Sequence, residues 1–571
     1  MRTLDWVVLF SWLISIVSYG LWRARGSGTI DKYLLAGKTM PWYAMGLSIM
    51  ATQASAITFI STTGQAYVDG MRFVQFYFGL PLAMVILSAT AVPLFHRANV
   101  YTAYEYLEKR FDAKTRALVS FVFLMQRGLA AGISLYAPAV VLSVILGWPD
   151  RLTTWLMGGL VMIFTSFGGI KAVTWADVQQ MTVIIVALMI ALGVAIVLLP
   201  SGVSFADALT VAGAAGRLNP VTVKFDWNDR YNLFSGLIGG MFLALAYFGT
   251  DQSQVQRYLT GRSIGQSRLS LIFNAMAKIP MQFFILFIGA IVFVFFTFVK
   301  APVLFQPVAM RAIASAPQFA GIEQKYSAAF EERRKAATDL ITAKRSGDAG
   351  LWNSGLGRYR VAQRDLDGAR RQAAKLAENT LKTPGFNDTN YIFLSFITRY
   401  MPVGVVGLVV GVIFSAAMSS ISGEINSLAT VSVIDVYRRY TRRQASDRHY
   451  LLVSKLATLF WGLYAVSFAS YGSGWGALIE AVNMIGSLFY GGMLGVFVLA
   501  VYFKRVGANG AFFGVLAGEA AIFAAKLFTG ISFLWYNVIG CFVVILTGLL
   551  ISLVERGEAH AGSERRGIEA R

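Results

Sequence analysis

The chain has little of what disulfide-bonded secreted proteins and soluble enzymes depend on. It holds one cysteine and three histidines in 571 residues, and only 14% of its residues are charged. A single cysteine excludes a disulfide framework, and histidines without accompanying thiols argue against a zinc or haem centre. Soluble domains contain about 25% charged residues. The sequence therefore excludes an ordinary soluble protein, and we expect no resident metal centre.

Hydrophobic residues, in contrast, make up 56% of the sequence. A transmembrane helix needs about 20 predominantly apolar residues. About thirteen segments meet this requirement, at 5–22, 41–66, 73–95, 115–146, 152–169, 175–199, 233–256, 270–299, 402–433, 449–470, 475–503, 508–528 and 533–554. We therefore expect an all-α polytopic membrane protein surrounded by lipid.

The formal charge of +20 is distributed in a way that predicts topology rather than nucleic-acid binding. Lys and Arg collect in alternate short loops, and such loops are cytoplasmic under the positive-inside rule. The first segment lacks a small-residue cleavage site, so we interpret it as a retained span. An odd number of spans puts the termini on opposite sides, and the side of the basic loops predicts an external N-terminus and a cytoplasmic C-terminus in the plasma or inner membrane. Neither a nucleic-acid partner nor an obligatory protein partner is evident.

The segment 321–384 is polar and is predicted to lie outside the cell. Apolar residues recur at helical spacing on both sides of 346–350, which contains two glycines. This pattern predicts an external helical insert. Two interpretations stay open: a solvated decoration, or an element that binds a partner or covers a gate.

Two predicted spans gather small and polar residues at their centres, at 46–59 and 236–252. Backbone that leaves helical geometry inside a membrane must line a cavity or be buried in protein, and transporters use such breaks to bind ions. The two segments are five spans apart, as two inverted five-helix repeats require. The alternative is that the small residues only let neighbouring helices approach.

The ninth predicted span supplies hydroxyl groups. Ala416, Ser419 and Ser420 have the i, i+3, i+4 spacing that places residues on one helical face. Hydroxyl and carbonyl oxygens suit a monovalent hard cation better than the carboxylate cages that bind calcium. This face therefore predicts a sodium site.

Four motifs make the chain similar to members of the sodium/solute symporter family. They are DKYLLAGK at 31–38, GGIKAVTWADVQQ at 168–180, TDQSQVQRYL at 250–259 and AAMSSISGEINS at 416–427. The resemblance implies a LeuT-type fold of two inverted five-helix repeats, with one helix before them and two after. It also implies a secondary active transporter, not an enzyme, that carries a small organic solute into the cell with sodium by alternating access.

On this resemblance the chain divides into consecutive parts. They are a leading helix and cytoplasmic loop at 1–40, the first repeat at 41–199, an external loop at 200–232, the second repeat at 233–503 with the insert 321–384, two extra helices at 504–554 and a cytoplasmic tail at 555–571.

The resemblance also implies the ligands of the co-transported sodium. These are the carbonyls of Ala51, Ala54 and Ala416 and the hydroxyls of Ser419 and Ser420. An additional sodium site, found in some members, would use Asp177 with Ser419, Ser422 and the next residue. That residue is Gly423, which has no hydroxyl, so we expect one strongly coupled sodium. Asp177 has an alternative role, as the partner of Lys171 or another base.

The solute site implied by the resemblance is a ring of polar positions: Gln53, Ser55, Thr58, Gln75 or Tyr77, Arg127, Tyr247, Glu480 and Asn483. The alternative for each of these residues is that its polar group only hydrogen-bonds to other buried polar groups. The sialic acid branch has an arginine where this chain has Ala130, so sialate recognition is not implied.

Charged residues inside predicted spans need partners, because an unpaired charge at mid-membrane costs about 2.5–3.5 kcal/mol. In the structural interpretation, Glu424 forms an ion pair with Arg127 or Lys278. The functional interpretation is that one of the two cations meets an anionic solute.

Other function classes remain as alternatives at this point. Proton coupling would need a titratable group near the hydroxyl face, and Glu424 is the candidate. A solute sensor on a transporter scaffold would be expected to carry an output domain, which the short tail does not provide. A membrane enzyme would need a nucleophile, base or metal constellation that the sequence does not show.

Overall fold

The structure is a computed structural model that describes residues 1–23, 29–471 and 476–569, with the backbone alone at 21, 30, 167–169 and 556–569. The regular secondary structure of the described part is helical, apart from a single isolated bridge between Met40 and Gly261. The first helices are α1 (Thr3–Arg23), α2 (Ile30–Leu35), α3 (Trp42–Gln53), α4 (Ala56–Asp69), α5 (Leu80–Ala89), α6 (Ala91–Ala98), α7 (Ala103–Arg110), α8 (Ala113–Leu146), α9 (Asp150–Val197) and α10 (Phe205–Ala214). The others are α11 (Gly240–Gly249), α12 (Gln252–Leu259), α13 (Ile264–Phe298), α14 (Pro307–Ala314), α15 (Phe319–Ser346), α16 (Ala349–Leu381), α17 (Ile392–Tyr400), α18 (Val405–Val431), α19 (Asp447–Ala469), α20 (Leu478–Tyr502), α21 (Ala508–Phe528) and α22 (Leu534–Glu569).

Ten helical stretches in the described residues are long and apolar enough to cross a membrane. The predicted count of about thirteen is not confirmed. The difference arises at 41–66 and 233–256, where the chain is divided into short helices, and at 152–169, which continues into the next predicted span within the 48 residues of α9.

Helix α9 is bent, which explains how one helix contains two predicted spans. A β-carbon placed at Gly20 of α1 would lie 3.7 Å from Ala176 Cβ and 3.9 Å from Phe164 Cε2. Residues 164 and 176 of a straight helix would lie about 18 Å apart. Because both side chains reach the same glycine, the helix axis turns between them.

Helix α18 lies at the centre of the bundle. The stretch Val405–Thr441, which contains it, has 83% of its most apolar part buried, against 22% for Thr3–Gly20. It packs against α1, α8, α9 and α19. Asp5 of α1 accepts hydrogen bonds from the first-turn N–H groups of Gly404 and Gly407 at 2.6 and 3.3 Å. A carboxylate at a helix N-terminus satisfies otherwise unpaired N–H groups and the helix dipole.

Both predicted helix breaks are confirmed. Helix α3 ends at Gln53, Ala54 leaves helical geometry with ψ 53°, and Ser55 is extended before α4 begins. Helix α11 ends at Gly249, and Asp251 is extended before α12, whose first turn it caps through Ser253 N at 2.9 Å. At these breaks Ala54, Thr250 and Asp251 are buried and Ser55 is half-buried. Backbone that leaves helical geometry at membrane depth must be buried in protein or line a cavity.

The predicted insert forms two packed helices, α15 and α16, joined at Gly347 in left-handed conformation. Its apolar positions form the contact: Tyr326, Phe330, Ala337, Leu340, Ile341, Tyr359, Ala362, Leu366, Ala369 and Ala373 are buried, and Leu376 is half-buried. Arg333 donates to the carbonyl of Phe296 at 2.6 Å and so attaches this hairpin to α13. The predicted tail 555–571 lies almost entirely outside the residues whose side chains are described.

Candidate functional site

The helix break after Gln53 faces the hydroxyl side of α18. Ser420 Oγ donates to the Ala51 carbonyl at 3.2 Å, so α18 is joined directly to the end of α3. Ser419 Oγ is buried and has no hydrogen-bond partner among the described residues. Ala54 lies at the break and Ala416 one turn before Ser420, both buried. The structure therefore brings two of the five predicted sodium ligands, Ala51 and Ser420, into direct contact, and the other three are buried on the same two segments of the chain.

This contact offers oxygen atoms of the kind that bind a hard monovalent cation. A break in a helix leaves carbonyl oxygens without intrahelical partners. The hydroxyl of Ser419, next in sequence to Ser420, is a buried oxygen without a partner among the described residues. A buried hydroxyl without a partner is uncommon because its desolvation is uncompensated. The donor set is neutral, which suits sodium as a cargo better than a divalent metal.

Asp177 belongs to a separate buried network next to this contact. Its Oδ2 accepts a hydrogen bond from Ser48 Oγ at 2.5 Å and lies 3.4 Å from Arg257 Nη1. Arg257 Nη1 also donates to Ser48 Oγ at 2.9 Å. The base that pairs with Asp177 is therefore Arg257 on α12, so the alternative of a partner base is confirmed with a base other than Lys171.

The same guanidinium fills the space beside Gly423. A β-carbon at Gly423 would clash with Arg257 Nη2, so the missing side chain leaves room for the arginine rather than an open site. Ser422 is also engaged, because its Oγ accepts a hydrogen bond from Thr165 at 2.8 Å.

A cavity of about 110 Å³ lies on the other side of the break. Most of the predicted solute ring lines it: Gln53, Ser55, Thr58, Tyr77, Arg127, Tyr247 and Asn483. Residues that the sequence did not single out for this role also line it, among them Gln126, Ser134, Glu424 and Tyr490. Phe76, Leu80, Phe248 and Val482 give the wall an apolar part.

Two predicted solute residues do not line the cavity. Gln75 donates to the Tyr231 carbonyl at 2.8 Å and accepts from Thr222 N at 2.9 Å. Glu480 pairs with Arg230 at 2.5 Å and accepts from the Tyr231 hydroxyl at 2.8 Å. Both side chains bind residues of the loop at 200–232. The sequence alone does not predict the path of that loop.

Arg127 is held by three oxygen-bearing side chains. Its Nη1 lies 3.1 Å from Glu424 Oε1, and its Nη2 contacts Asp251 and donates to Tyr490 Oη at 2.7 Å. The Tyr490 hydroxyl in turn donates to Asp251 at 2.9 Å. The Arg127 guanidinium also lies 5.4 Å from the centre of the Tyr247 ring. The predicted pairing of Arg127 with Glu424 is therefore confirmed.

Lys278 is not the partner of Glu424. Its Nζ lies 5.3 Å from the centre of the Tyr77 ring and has no hydrogen-bond partner in the described part of the chain. The sequence alternative that placed Lys278 beside Glu424 is wrong, because Arg127 holds that carboxylate.

The most important residues missed at this site are Asp251, Tyr490 and Arg257. Asp251 and Arg257 stand within the TDQSQVQRYL motif directly after a helix break, which is a signal for a buried charged role. No sequence feature singled out Tyr490, since one tyrosine in an apolar span is usually a packing residue.

Comparison with known proteins agrees with this geometry. A sequence model of the sodium:solute symporter family matches residues 33–322 and 373–518. The chain belongs to this family. The sodium/sialic acid symporter NanT of Aliivibrio fischeri is 27% identical over 96% of this chain and 92% of its own length. The human sodium-coupled monocarboxylate transporter 1 is 27% identical over 92% of this chain and 73% of its own length.

A solved structure shares the fold. It is the substrate-bound, outward-open state of a Na⁺-coupled sialic acid symporter, with a TM-score of 0.74 and 25% identity over 97% of this chain and 98% of the solved chain. The symporter described here therefore has the LeuT-type fold, and it is a sodium-coupled membrane transporter rather than an enzyme. The family match leaves out residues between 322 and 373, which form most of the α15–α16 hairpin.

Proposed function

We propose that the symporter carries a small organic solute into the cell together with one sodium ion. The ion binds between α3 and α18, and its ligands are the carbonyls of Ala51, Ala54 and Ala416 and the hydroxyls of Ser419 and Ser420. The observation that carries this assignment is the Ser420–Ala51 contact beside the unpartnered Ser419 hydroxyl. Because α3 and α18 both supply ligands, the ion stabilises their contact.

The restriction to one ion rests on the Asp177 network. Asp177 already has Arg257 as its cation, and Ser422 already has Thr165. The space beside Gly423 is taken by the Arg257 guanidinium. Asp177 and Ser422 therefore tune transport through this network without holding a second tightly bound sodium.

The solute binds in the cavity next to the sodium site. The polar contacts that we assign to it come from Gln53, Ser55, Thr58, Tyr77, Tyr247 and Asn483, all of which line the cavity. Arg127 shapes the same wall through its bonds to Glu424, Asp251 and Tyr490. Sialate, which appears in the name of a relative, is not part of the proposal, because Ala130 lies where that branch has its arginine.

The orientation in the cell membrane follows from the loops, with the N-terminus outside and the C-terminus in the cytoplasm. Loops predicted to be cytoplasmic meet on one side of the bundle: Arg110 donates to the Val506 carbonyl at 3.3 Å, and Arg439 pairs with Glu108 at 2.6 Å. The division into repeats at 41–199 and 233–503 belongs to the same proposal.

Sodium binding can be tested on the purified protein without knowing the solute. A ligand that binds only the folded state raises its stability in proportion to the logarithm of ligand concentration over Kd. The melting temperature should therefore rise with sodium and not with potassium. Ser419→Ala and Ser420→Ala should each shift the half-effective sodium concentration upward by about tenfold, the effect of one lost ligand worth ~1.4 kcal/mol.

Ser415→Ala is the matched control. Ser415 lies on the same helix, but its hydroxyl contacts Trp12 of α1 and the Val412 carbonyl. Its sodium titration should follow that of the parent protein. Titrations of Ser419→Ala and Ser420→Ala that also follow the parent would remove both hydroxyls from the sodium site.

A further inference from the structure

A second cavity in the bundle, here called the apolar cavity, shares no lining residue with the solute cavity. It has a volume of about 210 Å³ and is bordered by α5, α6, α11, α20 and α22. Among the described residues that line it, none is charged. The hydroxyls of Thr90 and Thr250 already donate to the carbonyls of Ile86 and Ala246, at 2.7 and 2.8 Å. The walls therefore offer a ligand apolar contact rather than hydrogen bonds.

The apolar cavity opens toward the lipid. Ile86, Tyr502 and Phe542 line it and are exposed. All three belong to stretches that are long and apolar enough to cross a membrane. Exposed apolar side chains on membrane-spanning helices face the acyl chains of the bilayer. Water is a poor occupant, because a buried water molecule needs two to four polar partners and an apolar cavity stays dry.

One end of the apolar cavity lies beside basic loops. Tyr502, which lines it, is the last residue of α20, and Lys504 follows two positions later. Leu94 of α6 also lines it, and Arg97 follows within one helical turn. Arg110 donates to the carbonyl of the residue after Tyr502 at 3.1 Å. Basic groups therefore border the cavity at the end of the spans.

Acidic groups do not cancel this positive charge. Residues 97–116 and 503–507 together hold seven Lys or Arg and three Asp or Glu. Glu555 of α22, which accepts a hydrogen bond from Asn509 at 2.8 Å, adds a fourth acid. A basic cluster next to the membrane attracts anionic lipid headgroups. The loops thus favour a lipid with a negatively charged headgroup.

We propose that the apolar cavity binds one acyl chain of a phospholipid with an anionic headgroup, taken from the leaflet on the side of the basic loops. The chain fills the part of the cavity that has no charge and no free hydroxyl among the described lining residues of the helices. The headgroup lies at the loops that carry Arg97, Arg110 and Lys504. The site depends neither on the identity of the solute nor on the number of sodium ions.

The bound chain contacts the helix break after α11. Gly249 and Thr250 line the apolar cavity, and the next residue, Asp251, binds Arg127 in the wall of the solute cavity. Helix α20 supplies the facing wall and also lines the solute cavity. The lipid therefore packs between two helices that hold the solute, on their membrane side.

A photoreactive lipid tests the site on the full-length protein in liposomes. The probe is a trace of phosphatidylglycerol with a diazirine in the middle of one acyl chain. Ultraviolet light releases nitrogen, the carbene inserts into the nearest side chain, and peptide mass spectrometry locates the label. We expect the segments 86–95, 242–250, 494–502 and 541–545 to carry several-fold more label than 516–527 of α21, which also has exposed apolar residues. Equal labelling of all these segments would overturn the inference.

Variants that fill the cavity provide a second measurement. Val498→Trp adds bulk from α20 and Leu245→Trp adds it from α11, and both residues line the cavity. Each variant should lower the label on 541–545 of α22 by several-fold. Leu527→Trp is the matched control, because Leu527 is 72% exposed and lies outside the cavity lining. Cooperative thermal unfolding shows that each variant is folded. Labelling as in the parent in both filled variants would overturn the site.

Two further probes carry the same diazirine on phosphatidylcholine and on a free fatty acid. We expect several-fold less label in the cavity segments from phosphatidylcholine, because its headgroup has no net charge. Equal labelling by phosphatidylcholine would overturn the preference for an anionic headgroup. Stronger labelling by the fatty acid than by phosphatidylglycerol would overturn the assignment to a phospholipid.

Discussion

Arg127 is the residue on which the cavity wall depends most. Its guanidinium is 3% exposed and contacts Asp251, Glu424 and Tyr490. Removing one partner of a buried ion pair leaves the others uncompensated and costs about 3–5 kcal/mol. Arg127→Gln should therefore lower the melting temperature strongly, and a second change, Glu424→Gln, should restore part of the loss.

An exposed pair provides the comparison for this prediction. Arg358 is 56% exposed and pairs with Asp339 at 2.7 Å. Exposed pairs contribute about 0–1 kcal/mol, so Arg358→Gln should change the melting temperature little. If thermal unfolding in detergent shows equal losses for Arg127→Gln and Arg358→Gln, the network at Arg127 does not stabilise the bundle.

Tyr247 lies next to this network, with its ring 5.4 Å from the Arg127 guanidinium. It lines the cavity, and its hydroxyl accepts a hydrogen bond from Gln254 at 2.6 Å. Tyr247→Ala should raise the half-saturating solute concentration by about tenfold or more, since losing a buried aromatic contact costs ~1.4 kcal/mol or more. Tyr247→Phe should have a smaller effect. The measurement is the sodium-dependent transport current with a solute that the protein carries, and Tyr471→Ala, at a residue 74% exposed, is the control. An affinity unchanged in Tyr247→Ala would make Tyr247 an ordinary core aromatic.

The sequence could predict residues on one helix but not their distant partners. Ala416, Ser419 and Ser420 could be grouped because helical periodicity places them on one face. Arg127 and Asp251 are 124 positions apart, and Arg127 and Tyr490 are 363 apart. Only the path of the chain brings them together. The prediction that Gln75 and Glu480 line the cavity is wrong for the same reason. Both side chains bind the loop at 200–232, and the sequence does not show where that loop runs.

Helix breaks and the hairpin are the elements that the sequence indicated best. Small and polar residues at mid-span are unusual in a lipid-facing helix, so the breaks at Ala54 and Asp251 could be located. The number of helices could not be predicted, because a broken helix and the bent α9 each depart from the rule of about 20 residues per span.

The α15–α16 hairpin is attached to the bundle by an ion pair that can be tested. Arg345 hydrogen-bonds to Asp207 of α10 and to the Gly202 carbonyl, and this contact lowers the pKa of Asp207 to about 2. A lowered pKa means that the contact contributes above the ordinary value of 3.8 and is lost as pH falls through about 2. The contact should therefore persist at neutral pH and throughout mildly acidic conditions.

Hydrogen exchange at neutral pH checks this attachment. Arg345→Gln should speed exchange in α10 and at the C-terminal end of α15, because Asp207 loses its partner. Arg334→Gln is the control, since Arg334 pairs with Glu331 on its own helix at 2.8 Å. Equal exchange of α10 in Arg345→Gln and Arg334→Gln would contradict a role for Arg345 in attaching the hairpin.

At the scale of the whole molecule, the number of sodium sites sets the concentrating power. One sodium ion entering down about 100 mV gains about 2.3 kcal/mol, and a tenfold sodium gradient adds about 1.4 kcal/mol. Together they can accumulate a neutral solute by roughly 500-fold. A second ion would square that ratio. On the proposed ratio of one ion per solute, the Arg257 guanidinium at Asp177 and Gly423 limits the gradient that the transporter can build.

The sodium-to-solute ratio tests this account most directly. It is obtained from the reversal potential of sodium-dependent transport in liposomes, with the charge of the transported solute included. We predict one sodium ion per solute, and the same ratio in Asp177→Asn, because Asp177 holds Arg257 and not an ion. A ratio of two in the parent protein, falling to one in Asp177→Asn, would contradict the account.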